Sequence, residues 1–126
     1  MEKFSVITNN SIVKDKFINM DMIFMECELV DILKYVRDKV HLGYILLSHP
    51  LAGSVKPNET PYKSVLISKN KYKEIDLVSL RIIEDSIEMS EKLIRDRKMR
   101  KWPERIIKDF AIIDLDLISS AIESAY

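Results

Sequence analysis

Tyr44-Ile45-Leu46-Leu47 (YILL) is a continuous apolar run set between Gly43 and a long polar stretch, SHPLAGSVKPNETPYKS, which reaches from Ser48 to Ser64. Apolar residues in unbroken succession suit a strand buried on both faces of a parallel sheet. The segment before it supports that reading. Leu29, Ile32, Leu33, Val36 and Val40 fall on one helical stripe, so the spacing predicts a helix over Leu29–Leu42. Gly43 stands where a helix often needs a left-handed residue to end.

Working towards the N-terminus, Met22–Met25 (MIFM) is an apolar run of strand length. Phe4–Thr8 (FSVIT) is β-rich and is closed by Asn9 and Asn10, which favour turns and caps. Asn10 or Ser11 is placed to cap a short helix over Val13–Phe17. Working towards the C-terminus, Ser64–Ser68 (SVLIS) predicts a fourth strand, ended by the charged turn KNKYKE. Asp76 suits the N-cap of a long helix carrying Leu80, Ile83, Ile87 and Ile94 on one side, widened by Met89 and Leu93 and running out near Arg100. Pro103 suits the first turn of another helix, with Ile106, Phe110, Ile113, Leu117 and Ala121 at helical spacing. Within it, Asp114–Leu117 (DLDL) alternates like a strand, so residues 110–126 are open to being split.

Strands alternating with helices predict one α/β domain over residues 1–126. The expected architecture is three-layer α/β/α with a mostly parallel sheet of about four strands, flavodoxin- or Rossmann-like. The first helix is short for a crossover. Ser64–Ser68 is therefore also a candidate for antiparallel edge pairing through the long loop.

The totals exclude several classes. A chain of 126 residues buries enough surface to fold without disulfides or metal. Its 20 basic and 20 acidic side chains cancel, so nothing global draws it to nucleic acid or a membrane. No apolar run approaches the roughly 18 residues of a membrane span, and MEKFSVITNN lacks the basic region and apolar core of a signal peptide. A cytoplasmic location is expected. Cys27 is the single cysteine and sits between Glu26 and Glu28, which discourages a thiolate. His41, His49 and Cys27 share no metal-ligand spacing, so no metal site is expected. No cofactor is expected either. GSVK lacks the Walker spacing and there is no GxGxxG.

The polar stretch is the candidate site. It holds three of the four prolines and one of the two histidines, and it exceeds the roughly 12 residues beyond which an irregular loop is uncommon. In open α/β sheets ligands bind beyond the carboxyl ends of strands. Thr8, Asn9 and Asn10 follow the first strand, and Ser48 and His49 follow the third. Gly53 permits close backbone approach, Ser54, Asn58 and Thr60 offer hydrogen bonds, and Lys56 and Lys63 offer charge. That set suits a small anion. The same polar side chains also suit a loop that satisfies its own backbone. His49, with Glu59 ten residues on, is the candidate acid or base, and equally a loop anchor. KLIRDRKMRKWPER (Lys92–Arg105) carries seven cations against two acids, with Trp102 inside it. It suits an acidic partner protein better than nucleic acid, and cations also suit a helix C-terminus.

ITNN (7–10), SHPLAGSVKPNETPYKSVLIS (48–68) and DLVSLRIIEDSIE (76–88) resemble the GrdX family, small proteins named for the glycine, sarcosine and betaine reductase gene clusters of anaerobic bacteria. The resemblance is best in the polar loop and weakest after Arg95. It implies a context of cytoplasmic amino-acid reduction, with proteins of a reductase complex as partners, and it carries no catalytic residues. The expected function is an accessory protein that binds a small anionic ligand or a partner through the 8–10 and 48–63 loops. Two alternatives stand beside it. One is a small enzyme acting on an acyl or phosphoryl compound, with His49 as acid or base and Ser54 and Lys56 stabilising negative charge. The other is an interaction module docking through residues 92–105.

Overall fold

The computed structural model of the chain describes residues 3–53 and 55–125. Seven elements follow in order: β1 (Phe4–Thr8), α1 (Ser11–Lys16), β2 (Met22–Phe24), α2 (Leu29–His41), β3 (Ser64–Ser68), α3 (Leu77–Asp96) and α4 (Glu104–Ala125). Asn10 caps α1 by accepting from Ile12 N–H, and Asp76 caps α3 by accepting from Ser79 N–H. Glu28 and Asp31 form a capping box at the start of α2. Gly43 follows that helix with φ 109°, in the left-handed region.

The sheet overturns the expected flavodoxin-like, mostly parallel four-strand arrangement. It has three strands in the order β2-β1-β3, with β1 parallel to β2 and antiparallel to β3. The stretch 44–47 is not a strand of the parallel set. It lies outside β3, antiparallel to it, joined by one bridge between Leu46 and Ile67. Leu47 N–H donates to Leu66 O and Ser68 N–H to Ile45 O. The neighbouring donors go elsewhere: Ile45 N–H to Ser68 Oγ and Leu46 N–H to Ser79 Oγ. Serine side chains thus take the places a ladder would need. The reversal of direction has a simple cause. Among the described residues no helix lies between Leu47 and Ser64, and a connection without a crossover helix returns the chain antiparallel.

Alternation along the strands splits the core. Ile7, Val65 and Ile67 face α2 and α3, where Leu29, Ile32, Leu33, Val36, Val40, Ile83 and Ile87 complete one cluster. Phe4, Val6 and Leu66 face the opposite way, against Val13 of α1 and Ile118 and Ile122 of α4. Two helix readings need correction. α3 ends at Asp96 rather than near Arg100, and it buries Ser79, Ser86 and Ser90 alongside Ile83 and Ile87 while Met89 stays exposed. α4 is one unbroken helix, so DLDL is not a strand. Its buried stripe is Ala111, Asp114, Ile118 and Ile122, one position beyond the expected face, and Ile113 is exposed.

Candidate functional site

Because β3 runs antiparallel, its first residue sits at the carboxyl end of β1, with Ser64 paired to Thr8. The ends of β1 and of the 44–47 segment therefore lie on the same side of the sheet with Ser64 between them. What fills this place is a closed hydrogen-bond ring. Asn10 N–H donates to Thr8 Oγ1 at 2.9 Å, and Thr8 Oγ1 lies 2.6 Å from Ser64 Oγ. Ser64 Oγ donates to Asp114 Oδ2 at 2.7 Å, so the Thr8 hydroxyl must be the donor to Ser64. Asn10 Nδ2 also donates to Asp114 Oδ2, at 3.1 Å, and to Ala111 O at 2.9 Å. Ser64 N–H reaches Asp114 Oδ1 at 3.1 Å. Asn9 pins the loop from the other side. Its Nδ2 donates to Cys27 O and Pro61 O, and its Oδ1 accepts from Lys63 N–H. Thr8, Asn9 and Asn10 are buried, and their side chains are committed to holding the loop and α4 in place.

Lys63 is also buried, 7 % exposed, with its side chain between the loop and α4. Small cavities of about 30 Å³ and 10 Å³ flank it; Ala52, Asp114 and Leu117 line both, and Ser48 and His49 line the larger. The larger has room for about one water. Burial pushes the Asp114 carboxyl above its usual range, against the hydrogen bonds from Ser64 and Asn10 and the attraction of Lys63. Burial likewise pulls the Lys63 ammonium down, opposed by Asp114.

The rest of the loop divides. Ser48 Oγ accepts from Leu66 N–H at 2.9 Å, completing the sheet edge. His49 is exposed, and its Nδ1 accepts from Leu51 N–H at 3.1 Å, which makes it an anchor of the turn closed by Ala52 N–H on His49 O. His49 and Glu59 line different cavities and do not meet as a pair. Gly53 has φ 91°, and a Cβ added there would meet the Leu117 side chain at 2.9 Å. Ser54 lies outside the described residues. Thr60 Oγ1 accepts from Tyr62 N–H inside the loop. Cys27 is half-buried, and burial, then Asp31 and Glu28, hold its thiol above the usual range.

Lys56, Asn58 and Glu59 go another way. A turn brings Glu59 N–H onto Lys56 O at 2.9 Å and presents this tip to the segment that joins α3 to α4. Asn58 Nδ2 donates to Arg97 O at 3.2 Å, and Trp102 Nε1 donates to Glu59 O at 2.7 Å. Between those two ties lies a cleft of about 310 Å³. Lys56, Arg97, Lys98 and Arg100 line it together with Glu59, Asp96, Leu93 and Trp102. Among the described residues none of the four cations is within 4.0 Å of a carboxylate oxygen. The Arg100 guanidinium lies over the Trp102 ring at 5.5 Å, and that ring meets Phe110 edge-on at 5.6 Å. Two other clefts of about 390 Å³ differ in kind. One, at the start of β1, has Lys3 as its single charged lining residue. The other sets three acids, Glu28, Asp31 and Glu91, against Lys34 and Arg95 and holds the Lys34–Glu91 ion pair. Sequence inspection flags the loop tip and the basic segment separately; only the fold shows that they share a cleft.

Among the described residues no three His, Cys, Asp or Glu side chains gather at metal-binding distance, and no helix is long and apolar enough to cross a membrane. What these elements define is a small mixed α/β protein with a cation-lined cleft between two connecting segments. The family model described as GrdX-like protein matches residues 5–123, and the chain belongs to that family. No curated protein and no solved structure matches it.

Proposed function

We propose that this GrdX-like protein is a non-catalytic accessory protein that binds a small anionic ligand in the cleft between Lys56–Glu59 and residues 96–102. One observation carries the reading. Lys56 comes from the polar loop and faces the same cleft as Arg97, Lys98 and Arg100, which come from the segment after α3. The arginine and lysine residues at the end of α3 have an ordinary reason to be there, since its last carbonyls carry partial negative charge. Lys56 has no such reason. His49 is occupied as a turn anchor and has no carboxylate partner, which favours binding over proton transfer. In this reading the protein acts in the cytoplasm, beside the amino-acid reductase proteins its family is named for.

The test is a titration with inorganic phosphate and acetate at low salt, followed by the fluorescence of Trp102, the only tryptophan and a lining residue of the cleft. The wild type should respond saturably. Lys56→Ala should weaken binding about tenfold, the loss of one charge contact of roughly 1.4 kcal/mol. A wild type that responds to no anion, by fluorescence or by calorimetry, would sink the reading.

A further inference from the structure

We infer that the cleft selects a phosphate monoester, a doubly charged head carrying a small planar or apolar tail. The inference rests on the anion reading above and adds the ligand's charge and shape. Four cations and two carboxylates line the cleft, which leaves two positive charges in excess. A carboxylate would neutralise one of them. A phosphate monoester carries close to two negative charges at neutral pH, because its second ionisation lies near pH 6.

Two of the four cations are arginines, one with its guanidinium against an aromatic ring and the other with its backbone tied at the edge of the cleft. Arg100 lies over the Trp102 ring. Arg97 is held through its backbone: its carbonyl accepts from Asn58 and its N–H donates to Leu93 O at 2.9 Å. A guanidinium presents a planar fork that fits phosphoryl oxygens, where a lysine offers only a point charge. Leu93 and Trp102 are the apolar part of the lining, a place for a tail beside the charged head. At about 310 Å³ the cleft is at the small end of ligand sites, so the tail is short.

The experiment compares phenyl phosphate, methyl phenyl phosphate, benzoate and a single-stranded oligonucleotide on the full chain. Binding is read by Trp102 fluorescence and confirmed by calorimetry. Phenyl phosphate should bind about tenfold tighter than its singly charged methyl ester or benzoate at pH 7.5, the effect of one further charge contact. Lowering the pH to about 5, below the second ionisation, should close most of that gap. Arg97→Lys with Arg100→Lys keeps the charge and removes the forks; it should erase most of the phosphate preference while a weak general anion affinity persists. Equal affinity for phenyl phosphate, its methyl ester and benzoate would overturn the phosphate inference and leave the anion reading standing. Tighter binding of the oligonucleotide would replace a small ligand with nucleic acid. Failure of all four to bind would remove the anion site itself, and this inference with it.

Discussion

Asp114 accepts two hydrogen bonds from Ser64, the backbone N–H at 3.1 Å on Oδ1 and the hydroxyl at 2.7 Å on Oδ2, so a helix near the end of the chain holds the first residue of β3. The same carboxylate accepts from Asn10 at the start of α1. Asp114→Ala would leave those three donors unpaired in a buried place. Each orphaned buried group costs about 1–3 kcal/mol, less what water recovers. We expect a loss of about 2–4 kcal/mol in urea unfolding, seen as a lower midpoint at unchanged slope. An Asp114→Ala protein as stable as wild type would show that the ring is not what joins α4 to the sheet.

The buried Lys63 gives a pH signature. Its folded-state ammonium is pulled below the ordinary 10.5, chiefly by burial. A depressed lysine contributes stability that is fully present above its unfolded pKa and lost as pH falls through its folded pKa. The sign for Asp114 is opposite: its raised carboxyl contributes stability present below its unfolded pKa and lost as pH rises through its folded one. Lys63→Met keeps the stem and removes the titration. The stability of wild type relative to Lys63→Met should therefore rise as pH increases from neutral towards 10.5. Denaturant midpoints of both proteins at several pH values check this, and parallel curves would remove the burial argument.

Asp114 also shows why part of the structure was legible in the sequence and part was not. Helix periodicity is read from apolar residues alone, and it puts Ile113 and Leu117 on the buried face. Partners from the N-cap of α1 and from β3 turn the helix one position, to Ala111, Asp114 and Ile118. Nothing local in DLDL carries that information. α2 was legible because its stripe is purely apolar, and Asn10, Asp76 and Gly43 were legible because capping chemistry is local. The stretch 44–47 misled because an apolar run signals burial without direction, and its direction is set by a loop with no helix among its described residues. The candidate site was half legible. Lys56, Asn58 and Glu59 line the cleft, whereas Thr8, Asn9 and Asn10 are structural ties, and the pairing of the loop tip with residues 96–102 is a property of the fold alone.

Gly43 and Gly53 should respond unequally to alanine. Both have positive φ, so both substitutions strain the backbone. A Cβ at Gly43 would meet the Tyr72 carbonyl oxygen at 2.1 Å, and that Tyr72 backbone is itself tied to Gly43 by an N–H bond to Gly43 O of 2.9 Å. A Cβ at Gly53 would meet the end of the Leu117 side chain at 2.9 Å, which can rotate away. Gly43→Ala should cost about 3 kcal/mol or more and Gly53→Ala about 1–2. Thermal melts that rank them the other way would contradict the geometry at both turns.

Ligand affinity in the cleft should depend strongly on salt. Lys56, Arg97, Lys98 and Arg100 are all exposed, so their combined field reaches a ligand through solvent and is open to screening. The screening length falls from about 30 Å at 0.01 M to about 8 Å at 0.15 M ionic strength. Phosphate affinity should fall steadily across that range, and Lys56→Glu should weaken binding at low salt more than at high salt. Stability should barely move, because an exposed charge away from a network changes folding by about 0.5 kcal/mol or less. The two readouts together decide the matter. A salt-insensitive Kd would mean that the anion is held by buried groups elsewhere, with the Lys63 cavities the next place to look. A Lys56→Glu protein that melts several degrees lower would mean that Lys56 serves the fold and not a ligand.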